Sequence, residues 1–224
     1  MAHSHQSTEH QVTTQGHVIR WATFYDPLVQ VMTFGQAARL RRTTVALARI
    51  QPGDHVLDVG CGTGDLTLAA ARQVGSTGRV VGIDPAAEMI AAARQKITTQ
   101  ETMADFRVGV VESLSFADAS FDVVLNSLMM HHLPHDLKAK GLTEIHRVLR
   151  PGGRLLIVDF KRPTSTLAKL FTFMQLHGGM QMGVQELAPL LQNAQFAEVA
   201  AGKTNLPMLG SLTAHKPANA GTVP

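Results

Sequence analysis

Between residues 55 and 160 the chain alternates two kinds of segment. Short apolar runs stand at 55–59 (HVLDV), 79–83 (RVVGI), 106–111 (FRVGVV), 121–126 (FDVVLN) and 155–160 (LLIVDF), and apolar residues at three- and four-residue spacing mark helices at 66–74, 86–97 and 136–149. The runs are continuous and not alternating, as in strands buried on both faces, and links of helix length demand right-handed crossovers between parallel strands. An open, doubly wound α/β sheet is the expected fold, and such sheets take their ligands at the carboxyl ends of the strands. The punctuation agrees. Pro52-Gly53 precedes the first strand and Pro151-Gly152-Gly153 the last, while Asp84-Pro85 opens a helix with Asp84 placed to cap it.

Upstream, Ile19, Phe24, Leu28, Val31, Met32, Leu40, Val45 and Leu47 recur at helical spacing, which predicts a helical cover over residues 17–50. Residues 51–160 form the ligand-binding core, and 161–216 add a further apolar segment and two strands to the same domain. Residues 1–16 and 217–224 show no periodicity and read as flexible tails, so His3, His5 and His10 are expected in solvent and no metal site is expected. With 224 residues and 45% hydrophobic content, one domain with one core is the default. A single cysteine, Cys61, excludes a disulfide framework or a multi-thiolate metal centre. A formal charge of +3 without a clustered basic stripe implies no nucleic-acid partner. No apolar run approaches the roughly 18 residues of a membrane span, and the polar start lacks a leader's apolar stretch, so a cytoplasmic location is the simplest expectation.

The sharpest local feature is Asp58-Val59-Gly60-Cys61-Gly62-Thr63-Gly64, lying between the first strand and the Leu66 helix. Glycines at 60, 62 and 64 strip the turn of side chains, so a ligand can rest on bare backbone beside a helix N-terminus. Asp84, at the end of the second strand, stands where a ribose diol is held. A dinucleotide fingerprint places its third glycine three residues after the second. Here the interval is two, and Asp65 would repel a pyrophosphate at the helix N-terminus. An NAD(P)-dependent oxidoreductase is therefore the alternative. A cation without phosphate, such as S-adenosylmethionine, suits the turn better, with Asp58 and Asp65 near its ammonium and sulfonium groups and Asp84 at its ribose.

Val56–Gly64 (VLDVGCGTG), Gly82-Ile83-Asp84 with Met89, Phe116–Val124 (FADASFDVV) and Ile145–Gly153 (IHRVLRPGG) resemble the successive motifs of class I S-adenosylmethionine-dependent methyltransferases. The nearest style is the small-molecule branch that includes the ubiquinone/menaquinone biosynthesis methyltransferases. The resemblance implies a Rossmann-like, seven-stranded sheet whose last strand is antiparallel, completed here by Ala194–Ala200 and Leu209–His215 with a Gly202–Pro207 loop. It places Gly60, Gly62 and Gly64 behind the methionine moiety with Cys61 packed under the turn, Asp84 on both ribose hydroxyls, Met89 on adenine, and Asn126 and Ser127 at the sulfonium end. One departure stands out. Similar enzymes carry Gly-Asp-Ala after the third strand, whereas this chain has Gly109-Val110-Val111, leaving adenine to apolar contact with Val110 and Val111, to backbone groups, or to Glu112. The missing charge-assisted hydrogen bond is worth on the order of 1.5–3 kcal/mol. The quinone branch also carries a different segment where this chain has Leu128-Met129-Met130-His131-His132-Leu133-Pro134, so a quinone acceptor has no motif support.

Methyl transfer from a sulfonium is an in-line displacement that needs alignment and exclusion of water, and no metal. A base helps only when the acceptor must lose a proton. His131 and His132, beyond the fourth strand, and Tyr25 with Asp26 in the N-terminal helices are the candidates. Residues 163–183 are rich in Leu, Phe and Met with Gly178-Gly179 as a hinge, and read either as a core helix or as an apolar lid. A lipophilic small-molecule acceptor is expected, with transient membrane contact compatible. A protein that keeps the fold without methyl transfer is the remaining alternative.

Overall fold

The computed structural model describes residues 14–97, 104–162 and 183–218. Two helices, α1 (Ala22–Met32) and α2 (Ala37–Leu47), precede β1 (His55–Val59), α3 (Asp65–Val74), β2 (Arg79–Asp84), α4 (Ala87–Ile97), β3 (Ala104–Val108), β4 (Phe121–Ser127), α5 (His135–Val148) and β5 (Leu149–Phe160). A short α6 (Ala188–Asn193), β6 (Ala197–Lys203) and β7 (Leu209–His215) complete the described chain. The seven strands form one sheet in the order β3-β2-β1-β4-β5-β7-β6, and β7 alone runs against its neighbours. The chain leaves β1 toward β2 on one side and later returns to place β4 on the other. That reversal opens a crevice at the carboxyl ends of β1 and β4.

Apolar runs make these strands because both faces are covered. Leu57, Val124, Leu155 and Ile157 pack with Leu142, Ile145 and Leu191 on one face, and Val56, Val123, Leu125 and Val158 with Leu40, Ala70 and Val74 on the other. A third cluster of Leu68, Ile90, Ala93 and Phe106 joins α3 and α4 over the β2–β3 edge. Polar residues of the recurring motifs hold loops. Arg150 Nη1 reaches both oxygens of Asp122 at 2.7 and 2.8 Å, and Asp122 Oδ2 accepts the His55 amide at 2.8 Å.

The structure shifts several boundaries. The expected cover is two helices broken at Phe34 and Gly35, which both have positive φ, and residues 17–21 are not helical. β3 ends at Val108 and not Val111: the Gly109 amide makes the last bond across to the Asp84 carbonyl, and beyond it Val110 makes only an isolated bridge with Ser113. β5 begins at Leu149, which pairs with Phe121 before the register shifts around the Pro151–Gly153 turn. β6 starts at Ala197 and not Ala194, whose amide still closes α6 on Leu190, and it takes Gly202 into the strand opposite Ser211. The apolar segment at 163–182, with its expected hinge, lies outside the described residues. Among the described residues no helix is long and apolar enough to cross a membrane, and no cluster of three potential metal ligands occurs.

Candidate active site

β1 runs out at Val59, and the chain reaches α3 through Gly60, Gly62 and Gly64 with φ of 75°, 54° and 83°. Only glycine adopts that sequence of left-handed conformations without strain. The amides of Gly60 and Cys61 both donate to the Ile83 carbonyl at 2.9 Å, which pins the turn to the end of β2. Asp84 finishes the brace. Its Oδ2 accepts the Gly62 amide at 3.0 Å and its Oδ1 accepts the Ala86 amide at 2.9 Å, so it caps α4 and anchors the turn at once. Each oxygen keeps a second lone pair for a ligand. Burial lifts the Asp84 carboxyl to about 6 against the pull of the two amides. Asp58, fully buried beneath the turn, accepts the Thr67 hydroxyl at 2.6 Å, and its carboxyl is pushed up to about 7 by burial first and by Asp84 in addition.

An open cleft spans the carboxyl ends of β1, β2 and β4 and the loop after β3, the place where sheets of this kind take their ligands. Val59, Gly60 and Gly62 line it centrally. Asp84, Pro85 and Met89 line it together with Gly109, Val110, Val111 and Glu112, and Leu128, Met129, His132 and Leu133 form the β4 side. The segment Thr14, Gly16, His17, Val18 and Ile19 completes the lining with Tyr25. A second, adjoining space is lined by Arg41, Asp58, Cys61, Thr63, Asp65 and Ser127, and shares Tyr25, Gly60 and Leu128 with the first. Tyr25 is thus common to both spaces, its ring against Gly62, where an added methyl would sit 3.1 Å from Cε1. Burial, with Asp84 and Asp26 nearby, pushes its hydroxyl up to about 12.

The loop after β4 is held from several sides. Leu128, at positive φ, donates to the Val158 carbonyl at 2.8 Å, the His131 amide donates to Asp159 Oδ2 at 3.1 Å, and buried Lys138 donates from Nζ to the Leu133 carbonyl at 2.7 Å. His131 Nδ1 lies 2.7 Å from Asp159 Oδ1 in a pair that is almost wholly buried. The His131 and His132 rings are 3.9 Å apart, and His17 stacks on His132 at 5.6 Å while its amide donates to the His132 carbonyl at 3.2 Å. Burial first, then His131, lowers His132 to about 4, so its imidazole is neutral at pH 7.

The cover is tied to this turn by charge. Lys96 Nζ on α4 reaches Asp26 Oδ2 at 2.8 Å, Asp65 Oδ1 at 2.7 Å and the Thr63 hydroxyl at 3.1 Å, Arg41 reaches Asp65 Oδ2 at 2.7 Å, and the Thr63 hydroxyl donates to Asp26.

Most of the expected residues converge. Gly60, Gly62, Asp84, Met89, Val110, Val111, Tyr25 and His132 share the main cleft, and Asp58, Cys61, Asp65 and Ser127 line the adjoining cavity. Asn126 is fully buried, donating to the Val59 carbonyl at 3.1 Å while its Oδ1 has no partner. Three expectations change. Gly64 does not line either space: it is the left-handed cap of α3, and a methyl there would collide with the Phe106 ring and Ala93, so its role is helix packing. Asp65 meets Arg41 and Lys96, which neutralise it where a cofactor cation was expected to. His131 is turned onto Asp159 and Phe160 and does not line the cleft, leaving His132 there. Cys61 is packed against Leu68 and Phe106, and burial holds its thiol well above the ordinary range. Sequence reasoning misses the role of residues 14–19, which line the cleft without being helical: it reads 14–16 as tail and 17–19 as the start of the helical cover. Leu128, Met129 and Leu133 were findable from their place after β4.

Residues 56–153 match the family model described as "Methyltransferase domain". The chain is 38% identical over 162 residues to the ubiquinone/menaquinone biosynthesis C-methyltransferase of Hydrogenovibrio crunogenus, covering 71% of this chain and 63% of that protein. It is 36% identical over 163 residues to the 2-phytyl-1,4-naphtoquinone methyltransferase of Synechocystis, covering 72% of this chain and 68% of that one. A crystal structure of a SAM-dependent methyltransferase from Aquifex aeolicus superposes with a TM-score of 0.69 at 20% identity over 84% of this chain and 97% of that one, a likeness of fold. The chain belongs to the class I S-adenosylmethionine-dependent methyltransferases, and S-adenosylmethionine is the cofactor of that class. Within it, the relatives cited are quinone-methylating enzymes, and the chain spans about three fifths of the length of the first of them. The nicotinamide alternative gains no support from any of these matches.

Proposed function

We propose that this protein transfers a methyl group from S-adenosylmethionine to a lipophilic, hydroxyl-bearing aromatic small molecule of quinol type. The observation that carries the reading is a single cleft with an acid and bare glycine backbone toward one part and an apolar wall with a neutral imidazole toward another. The donor set fits the cofactor. Asp84 has one unused lone pair on each oxygen for a ribose diol, Met89, Val110 and Val111 offer apolar contact to adenine, and Gly60 and Gly62 present bare backbone to the methionine chain, with Met129 and Tyr25 packed close over them. Buried Asp58 and the unpartnered Oδ1 of Asn126 are acceptors suited to an ammonium group, with Ser127 and Tyr25 beside them. When bound, the cofactor supplies an activated methyl on a sulfonium.

The acceptor side follows from Leu128, Met129, Leu133 and His132. Apolar walls favour a lipophilic ring, in keeping with the quinone substrates named for the relatives. His132, neutral at pH 7, can accept a hydrogen bond from an acidic hydroxyl. It becomes a better proton acceptor once the nearby positive charge is discharged by transfer. His131, fixed by Asp159, positions the His132 ring through their 3.9 Å contact.

Calorimetric titration with S-adenosylmethionine tests the cofactor half: saturable binding is expected, and none at millimolar ligand refutes the reading. Release of S-adenosylhomocysteine with demethylated quinols, compared with simple phenols and amines, tests the acceptor. A retained fold that binds the cofactor but turns over none of these would favour the non-transferring alternative.

A further inference from the structure

The five large hydrophobic side chains left exposed among the described residues all belong to one stretch: Trp21 at 48%, Phe24 at 70%, Leu28 at 37%, Val31 at 73% and Phe34 at 71%. Phe24, Leu28 and Val31 follow one another at four- and three-residue spacing, so they form a single stripe along α1, which Trp21 extends at its start. α1 has no buried residue, and its inward contacts are made by Tyr25, Asp26 and Val29. The helix therefore turns its apolar stripe outward.

The charge around the stripe is equally uneven. Between residues 14 and 53 there are five arginines, no lysine, and Asp26 as the only acid, a formal +4 that exceeds the +3 of the whole chain. Asp26 is taken up by Lys96, while Arg39 and Arg42 lie exposed on α2 just past Phe34. Glu88 on α4, 3.9 Å from Arg20, is the acid at the edge of this surface. A tryptophan, aliphatic and phenyl groups in one stripe, flanked by the exposed Arg39 and Arg42, is the composition that lies in the headgroup layer of an anionic bilayer. An acidic protein surface would match the arginines but leave the stripe in water.

We propose that α1 and the start of α2 dock this protein reversibly on anionic lipid membranes. The cleft is lined by residues 14–19 and Tyr25, immediately before and within the docking helix, so docking brings the mouth of the site to the bilayer. The proposal deepens the lipophilic-acceptor reading by giving that acceptor a membrane source, but its test needs no turnover, so either can fail alone.

The test is vesicle flotation with phosphatidylcholine vesicles, with and without phosphatidylglycerol, read together with emission from Trp21, the only tryptophan. Wild type is expected to float with the anionic vesicles, to shift its emission to the blue, and to be quenched by brominated lipid. Adding salt should release it. Phe24→Ser with Val31→Ser should weaken partition about tenfold or more. Neutralising Arg39 and Arg42 to Gln should weaken it about fivefold for each arginine on anionic vesicles only. Because all four residues are exposed, each variant should keep its melting temperature and its S-adenosylmethionine affinity. Should a double variant fail to fold, brominated-lipid quenching of wild-type Trp21 decides alone. No flotation of wild type at low salt overturns the proposal. So does sedimentation as a dimer that Phe24→Ser with Val31→Ser dissociates, without vesicle binding, which would assign the stripe to a second copy of the chain.

Discussion

The sheet core and the N-terminal cover use the same kinds of residue in opposite senses. In the core, from His55 to Phe160, apolar runs face inward on both sides of the sheet, and Val56, Leu57, Val123 and Val124 are wholly buried. In α1 the apolar stripe faces out, while Tyr25, Val29 and Asp26 face in, Asp26 bonded to Lys96 and Thr63. The core is arranged to fold; α1 is arranged to touch something. A helix that leaves three large side chains in water gains little folding energy from them, because hydrophobic stabilisation counts only area removed from water. Its attachment rests on a few polar contacts around the cofactor turn, which makes it the part of the site suited to move.

The largest effect should come from the core at its tightest point. Gly64→Val adds a branched side chain where a single methyl already collides with Phe106 and Ala93, at a φ of 83° that valine avoids. Overpacking and backbone strain together should cost about 3–5 kcal/mol, read as a collapsed denaturant midpoint. A near-normal midpoint would mean that α3 and β3 are loosely packed and that the contrast with the cover is overstated.

Next is Asp84, where folding and ligand binding pull against each other. Its folded pKa is raised from 3.8 to about 6, so the folded protein holds this proton more tightly than the unfolded chain. The associated stability is present below 3.8 and is lost as pH rises through about 6, which makes the ionised acid a cost to the free protein at neutral pH. A ribose diol donating to the carboxylate offsets that cost. The thermal shift given by S-adenosylmethionine should therefore grow from pH 5 to pH 7.5, and Asp84→Asn should flatten this profile. The variant should also bind the cofactor roughly ten- to a hundredfold more weakly, since asparagine has one acceptor oxygen for two amides and a diol. A shift independent of pH would detach Asp84 from the ligand and leave it as the cap of α4 alone.

The core was readable because its signals are local. Continuous apolar runs, Pro-Gly breaks and a glycine turn each lie within a few residues, and the acid at Asp84 announces itself by following a strand and preceding a proline. What was not readable depends on distance along the chain. The His131–Asp159 pair joins the ends of two strands, Lys96 reaches back 70 residues to Asp26, and His17 meets His132 only because the sheet brings them together. Gly64 looked like a ligand glycine because nothing local shows that Phe106 fills the space beside it. For α1 the limit is of another kind: periodicity reveals that Phe24, Leu28 and Val31 share a stripe, but not which way the stripe points.

The polar clasp should have a moderate effect. Lys96→Met removes the cation between Asp26 and Asp65, groups that are roughly a third exposed, so its loss should cost only about 1 kcal/mol of global stability. Its local effect should be larger. Freed of Lys96, α1 should open more often, so cleavage near residues 17–34 in limited proteolysis should speed up severalfold while the core melts almost as before. Equal protection in wild type and variant would show that Tyr25 and the 14–19 segment hold the cover without the clasp.

The smallest expected effect bears most directly on the contrast. Two serines in place of Phe24 and Val31 remove a phenyl ring and two methyls, a change that in the sheet core would cost several kcal/mol. Here the melting temperature in buffer should move by no more than the equivalent of about 0.5 kcal/mol, as at an ordinary surface position. A loss above about 1 kcal/mol would mean that these side chains are covered in solution, by a second copy or by the chain itself, and α1 would become one more helix burying its apolar face. Neutrality carries more weight, because large apolar side chains that contribute nothing to folding, gathered in one stripe beside exposed Arg39 and Arg42, are explained by what the surface binds.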